Sequence, residues 1–134
     1  KSYDTLMKNL KKTINIIYNN NIEEWIAFTN RLSKKKNDLV TILNLLEIFY
    51  SDILIYKKTK NENLLKFYNF KKIIDLFLKT YNNSNWEFCI KKINDTKQNI
   101  NKNINLEISL ISLIIELNKI LNNQRYSNYG INNG

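Results

Sequence analysis

The side chains that most often perform chemistry in proteins are few in this chain. Its 134 residues contain no histidine and a single cysteine, Cys89. Without histidine the chain cannot build a Ser-His triad, a histidine metal site or a histidine general base. Cys89 falls on the apolar side of a predicted helix and has no histidine to activate it, so we interpret it as a buried structural residue. An internal disulfide is excluded, which is compatible with a reducing cytoplasm.

The twelve carboxylates are scattered along the chain. Glu23 and Glu24 are adjacent and therefore point in different directions on a helix, which does not resemble a paired acid/base site or a calcium loop. Asp52 is an acid within an apolar run, close to the basic pair Lys57 and Lys58. It has two interpretations: a contact to a partner or a neighbouring helix, or a member of a solvated stripe.

Glycine occurs only at Gly130 and Gly134, and proline is absent. A P-loop and a Rossmann fingerprint need glycine where the backbone meets phosphate, so residues 1–129 can hold neither. We therefore expect no catalytic residue, no cofactor and no metal site in this segment. We interpret the chain as a fragment that is not itself an enzyme. The same scarcity favours long helices joined by polar loops.

The net charge of +9 permits two interpretations, a solvated lysine surface or a face that binds nucleic acid. The residues in excess (Asn, Lys, Ile and Tyr) have AT-rich codons, whereas the scarce ones (Ala, Gly, Pro and Arg) have GC-rich codons. Nucleic-acid sites favour arginine for its planar fork, yet only Arg31 and Arg125 are present. We expect a solvated surface that binds DNA only indirectly or weakly, and keep a basic nucleic-acid-binding module as the alternative.

The apolar spacing is helical almost throughout, which predicts an all-α bundle of five to six helices over residues 1–121 and a polar, flexible tail over 122–134. The predicted helices are Asp4–Tyr18, Ile22–Leu32, Asp38–Lys58, Phe70–Tyr81, a fifth running towards Asn103, and Leu106–Leu121. The predicted N-caps are Asn37 or Asp38, Asn69, Ser84 or Asn85, and Asn103 or Asn105.

The third and sixth of these helices are apolar on nearly all sides. Their polar residues form narrow stripes, Thr41, Asn44, Glu47, Ser51 and Asp52 in the third and Ser109, Ser112, Glu116 and Lys119 in the sixth. Either both helices are central, or part of their apolar surface is left for a partner. Polar residues interrupt the third helix before an uncharged stretch reaches about 18 residues, so we expect no membrane span.

Three segments resemble a known family. They are FYSDILIYKK (Phe49–Lys58), YNF (Tyr68–Phe70) and NINLEISLISLIIEL (Asn103–Leu117). Together they are similar to a long helix, a capped helix start and a last Leu-rich helix in the C-terminal domain of the bacterial DNA polymerase III delta-prime subunit. Ile111 stands where many relatives carry an acid. The delta and gamma/tau subunits have similar domains, and the equivalent domain of either is an alternative.

This resemblance implies a clamp-loader collar domain. Such a domain is non-catalytic and joins the collar domains of the sister subunits delta and gamma/tau, holding ATPase-type modules together while a sliding clamp is loaded in DNA replication. Because the chain begins at Lys1, we interpret it as a piece of a longer cytoplasmic protein whose ATPase-type module lies upstream. The residues we single out as partner contacts are Asp52, Lys57, Lys58 and Glu116.

Overall fold

Six α-helices follow one another in the computed structural model, which describes residues 3–123. They are α1 (Tyr3–Asn19), α2 (Ile22–Leu32), α3 (Lys36–Thr59), α4 (Lys71–Thr80), α5 (Trp86–Asn101) and α6 (Leu106–Leu121). Two short 3-10 turns, Glu62–Leu64 and Tyr68–Phe70, lie in the connection between α3 and α4. The predicted all-α class is confirmed, and no strand occurs within residues 3–123. Most of the predicted tail lies outside the described residues.

Asparagine side chains begin three of the helices. The side-chain oxygens of Asn21, Asn85 and Asn105 accept the backbone N–H three residues later, at 3.1, 3.0 and 3.1 Å. These bonds satisfy N–H groups that have no partner within the helix. The predicted caps Asn85 and Asn105 are therefore confirmed, each as one of two named candidates.

The predicted caps of α3 and α4 are wrong, and of the two candidates for α5 it is Asn85, not Ser84, that caps the helix. α3 begins at Lys36, so Asn37 and Asp38 lie inside its first turn, where the Asp38 N–H already binds the Lys35 carbonyl at 3.0 Å. Asn69 lies within a 3-10 turn that runs directly into α4, and no side chain caps that helix. Ser84 is buried, and its hydroxyl donates to the Leu121 carbonyl at the end of α6. At the starts of α3 and α4 a backbone turn takes the place of the expected cap.

α3 lies at the centre of the bundle and packs against α1, α2, α4 and α5. Part of its polar stripe is covered by α5, because the Lys97 ammonium donates to Asn44 Oδ1 at 2.8 Å and to the Glu47 carboxylate. For this helix the prediction of a central position is confirmed. Among the described helices, α3 alone is long and apolar enough to cross a membrane, a property that core helices share. The absence of a membrane span stays a prediction.

Aromatic side chains fill the middle of the core. The ring centroids of Phe49 and Phe77 lie 5.5 Å apart, and those of Phe77 and Trp86 lie 6.3 Å apart, both pairs edge to face. Helices α2 and α6 are joined by a buried hydrogen bond, in which the Trp25 indole N–H donates to the Leu110 carbonyl at 2.7 Å. This bond holds α2 against α6, while α5 covers another side of α6.

Candidate protein-interaction surface on the α5–α6 hairpin

Cys89, the one thiol, has no access to solvent. Its side chain lies in the core, and burial raises its pKa to about 12. A thiol in this state is a poor nucleophile, because the reactive species is the thiolate. Among residues 3–123, no three Cys, Asp or Glu side chains come together in an arrangement that could hold a metal ion. The surfaces of the described residues are considered next.

α6 turns part of its apolar surface outwards. Ile108 is 63% exposed and Ile115 is 37% exposed, whereas Ser109 is only 8% exposed. The predicted polar stripe is therefore wrong at Ser109, and the helix is rotated so that isoleucines face solvent. The reason is that α6 buries one continuous face against α5 and α2, consisting of Leu110, Leu113, Ile114, Leu117, Ile120 and Leu121. Its other isoleucines find no room on that face.

We call Ile108, Ile111 and Ile115 the isoleucine face. They recur at intervals of three and four residues, which places them along one side of the helix. Ile111 between them is half-buried. Ile104 in the preceding connection and Phe88 on α5 are 48% and 44% exposed. The segment from Trp86 to Leu121 thus holds four of the nine exposed large apolar side chains of the described residues.

A shallow groove of about 250 Å³ lies between α5 and α6 on this hairpin. Its lining combines apolar and charged side chains, namely Phe88, Lys91, Lys92, Asp95, Glu116 and Ile120. Two ion pairs contribute to the groove and its edge. Lys91 pairs with Asp95 at 3.0 Å, and Lys119 with Glu116 at 3.8 Å.

Asp52 occupies a different place from either predicted one. The side chain is fully buried, so the prediction that it belongs to a solvated stripe is wrong, and a partner cannot reach it. Its two carboxylate oxygens accept the backbone N–H groups of Lys66 and Phe67 at 3.0 and 2.8 Å. The carboxylate therefore fastens the connection between α3 and α4 onto α3. The sequence did not predict this contact, because no motif in the connection indicates that its backbone N–H groups bind the Asp52 carboxylate.

The other three predicted contact residues lie near the surface. Lys57 donates to the Asn82 carbonyl in the loop between α4 and α5 at 2.5 Å. Lys58 is exposed in the last turn of α3. Glu116 lines the α5–α6 groove. Of the four predicted residues, Glu116 is the one that lines this groove. Whether Lys57, Lys58 or Glu116 contacts a partner stays a prediction.

Ile108, Ile115 and Phe88 are the surface residues that the sequence reasoning did not single out. The sequence of α6 did indicate that some apolar side chains would be exposed, because its apolar residues outnumber the positions on one helix face. The spacing could not show which side of α6 would be covered by α5.

Comparison with protein-family models, with curated proteins and with solved structures found no match. The fold defines an all-α bundle, and its surfaces are the basis for assigning a function.

Proposed function

We propose that this chain is a non-catalytic assembly domain whose α5–α6 hairpin packs against a helical domain of another protein. The single observation that carries the proposal is the isoleucine face, which leaves apolar side chains in water on an otherwise well-packed helix. Fully burying an isoleucine stabilises a folded or assembled state by about 1.5–3 kcal/mol. Packing against a second helix would recover this energy without any rearrangement of the core.

We further propose that the partner domains are those of a bacterial clamp loader, and that the chain is the collar domain of a delta-prime-like subunit. The support is that the segment resembling the last helix of that family, Asn103–Leu117, is also the segment that carries Ile108 and Ile115. A collar position gives each domain two different neighbours. Strong self-association is therefore not expected, and hetero-complexes are.

The test is to mix the chain with the C-terminal domains of delta and gamma/tau from the same organism, singly and together, and to measure mass by light scattering at micromolar concentrations. We expect a hetero-complex. The double substitution Ile108→Lys and Ile115→Lys should weaken it roughly 10-fold or more. The two side chains are 63% and 37% exposed, so burying what remains in water contributes about as much as one fully buried isoleucine, about 1.5–3 kcal/mol.

The matched control is Leu64→Lys with Leu76→Lys. These side chains are 49% and 44% exposed and lie outside the hairpin, so this variant should bind like the unmodified chain. Equal loss in both variants would show that added charge, not the isoleucine face, is responsible. If no mixture forms a complex while the full-length subunits do assemble, the collar role is wrong.

A further inference from the structure

A charged surface lies on α1, on α2 and on the connection to α3. Two shallow cavities of about 300 and 360 Å³ open there. Phe28 of α2 lines one cavity and Lys12 of α1 lines the other. The basic side chains that line the pair, which we call the α1–α2 basic cleft, are Lys8, Lys11, Lys12, Arg31, Lys34 and Lys35.

This cleft concentrates positive charge. Besides its six basic side chains, its lining contains two carboxylates, Glu24 and Asp38, which leaves an excess of four positive charges. Four lysines outside the cleft form ion pairs with acids, for example Lys91 with Asp95 and Lys97 with Glu47. A surface of one sign attracts an oppositely charged polymer at long range.

The cleft also places its cations in a fixed arrangement. The Lys12 ammonium lies 5.4 Å from the centroid of the Phe28 ring, and the Arg31 guanidinium lies 5.6 Å from the same centroid. Cations are attracted to an aromatic ring in this geometry, so one residue from each helix is held beside the other. Phe28 itself is 3% exposed, so its ring can order the cations but cannot stack on a base.

We propose that the α1–α2 basic cleft binds the phosphate backbone of nucleic acid without reading its sequence. Phosphate fits because arginine and lysine donate charge-assisted hydrogen bonds to it, and Asn9, Asn15 and Asn19 in the lining supply further polar groups. No base is read, because the cleft is shallow and its aromatic ring is covered.

A membrane surface fits the cleft less well than nucleic acid does. Segments that lie in a membrane interface combine basic residues with exposed Trp, Phe or Leu that enter the lipid. The apolar members of the lining are Ile16, Phe28 and Leu32, of which Ile16 and Phe28 are buried. Charge without an inserting apolar group is the pattern expected for polyphosphate backbones.

The test is fluorescence anisotropy with a labelled thymidine homopolymer and a labelled duplex, over a series of salt concentrations. If four to six phosphates are neutralised, the plot of log affinity against log salt for the single strand should have a slope of about −3 to −4. The triple substitution Lys11→Gln, Lys12→Gln and Arg31→Gln should reduce the size of that slope by about 2, since each phosphate contact contributes about 0.7.

The control carries the same loss of charge on exposed lysines of α3 and α4, as Lys58→Gln, Lys72→Gln and Lys79→Gln. It should keep the slope of the unmodified chain. A circular-dichroism melt of each variant shows whether the fold is intact. Equal behaviour of the two triple variants, or no binding of the unmodified chain at low salt, would overturn the proposal. So would equally tight binding of polyglutamate or of vesicles containing phosphatidylserine. Because the hairpin is unchanged, association with the collar domains tests the proposed function separately.

Discussion

Replacing Asp52 should cost more stability than replacing any exposed acid of this chain. Its carboxylate is fully buried on α3 and receives two N–H groups, from Lys66 and Phe67, that belong to the connection before α4. In Asp52→Ala both N–H groups lose their acceptor in a partly buried place. The connection also loses its attachment to the central helix.

The magnitude follows from the two bonds. A hydrogen bond to a charged group contributes about 1.5–3 kcal/mol, so two contribute about 3–6 kcal/mol. These values are already net of the cost of removing the groups from water, and we take their lower end. We expect a net loss of about 3 kcal/mol in the free energy of unfolding, or roughly 10 °C in Tm for a domain of this size. Asp52→Asn should lose nearly as much, because its one acceptor oxygen is uncharged and its NH2 group is a donor turned towards the other N–H.

Urea denaturation followed by circular dichroism measures this loss. Asp95→Ala is the matched control, because Asp95 is a half-exposed helical acid paired with Lys91 at 3.0 Å. Losing an exposed pair of this kind should cost less than about 0.5 kcal/mol. If Asp52→Ala and Asp95→Ala lower the free energy of unfolding equally, the two N–H bonds do not hold the connection and the reasoning fails.

Two further predictions concern Cys89 and the helix caps. At about pH 8 the native Cys89 thiol should react with Ellman's reagent roughly 1,000-fold more slowly than in the guanidinium-unfolded chain, since its pKa is raised from 9.0 to about 12. Fast labelling of the native chain would contradict the burial. Because the pKa of the thiol is higher in the folded state, the contribution of Cys89 to stability is present below pH 9 and is lost as the pH rises towards 12. Asn105→Ala should lower the free energy of unfolding by about 1 kcal/mol, because the cap bond to Ile108 is lost. Asn69→Ala, at a position without a cap bond, should change it by less than about 0.5 kcal/mol, and equal effects in denaturation would contradict the cap assignment.

The helices themselves could be predicted from the sequence because their signal is local. Apolar spacing located all six, and Asn85 and Asn105 are caps because an amide oxygen three residues before an unpaired N–H is a local arrangement. Asn69 failed as a cap because the chain reaches α4 through a 3-10 turn, which satisfies the backbone in another way. A side-chain cap and a backbone turn are alternative ways to begin a helix, and the sequence pattern does not show which of the two forms.

The surfaces could be predicted less well because they depend on contacts between distant segments. The spacing in α6 showed that the helix has too many apolar residues for one face, but not that Ile108 would be outside and Ser109 inside. Asp52 was an acid in an apolar run, and only the path of the connection reveals that Lys66 and Phe67 lie over it. Local patterns define elements, whereas pairings between elements decide which polar group is buried.

The hydrogen bond from Trp25 to Leu110 has a consequence for how the chain is made. Its two residues are 85 positions apart. At about 5–20 residues per second, a ribosome adds Leu110 about 4–17 s after Trp25. During that interval α1 and α2 have been synthesised, but the helix that covers the Trp25 indole has not. The nascent chain therefore presents to its surroundings for seconds the apolar face of α2 that α6 later covers, and its yield in the cell should depend on chaperones that shield this face until α6 is made.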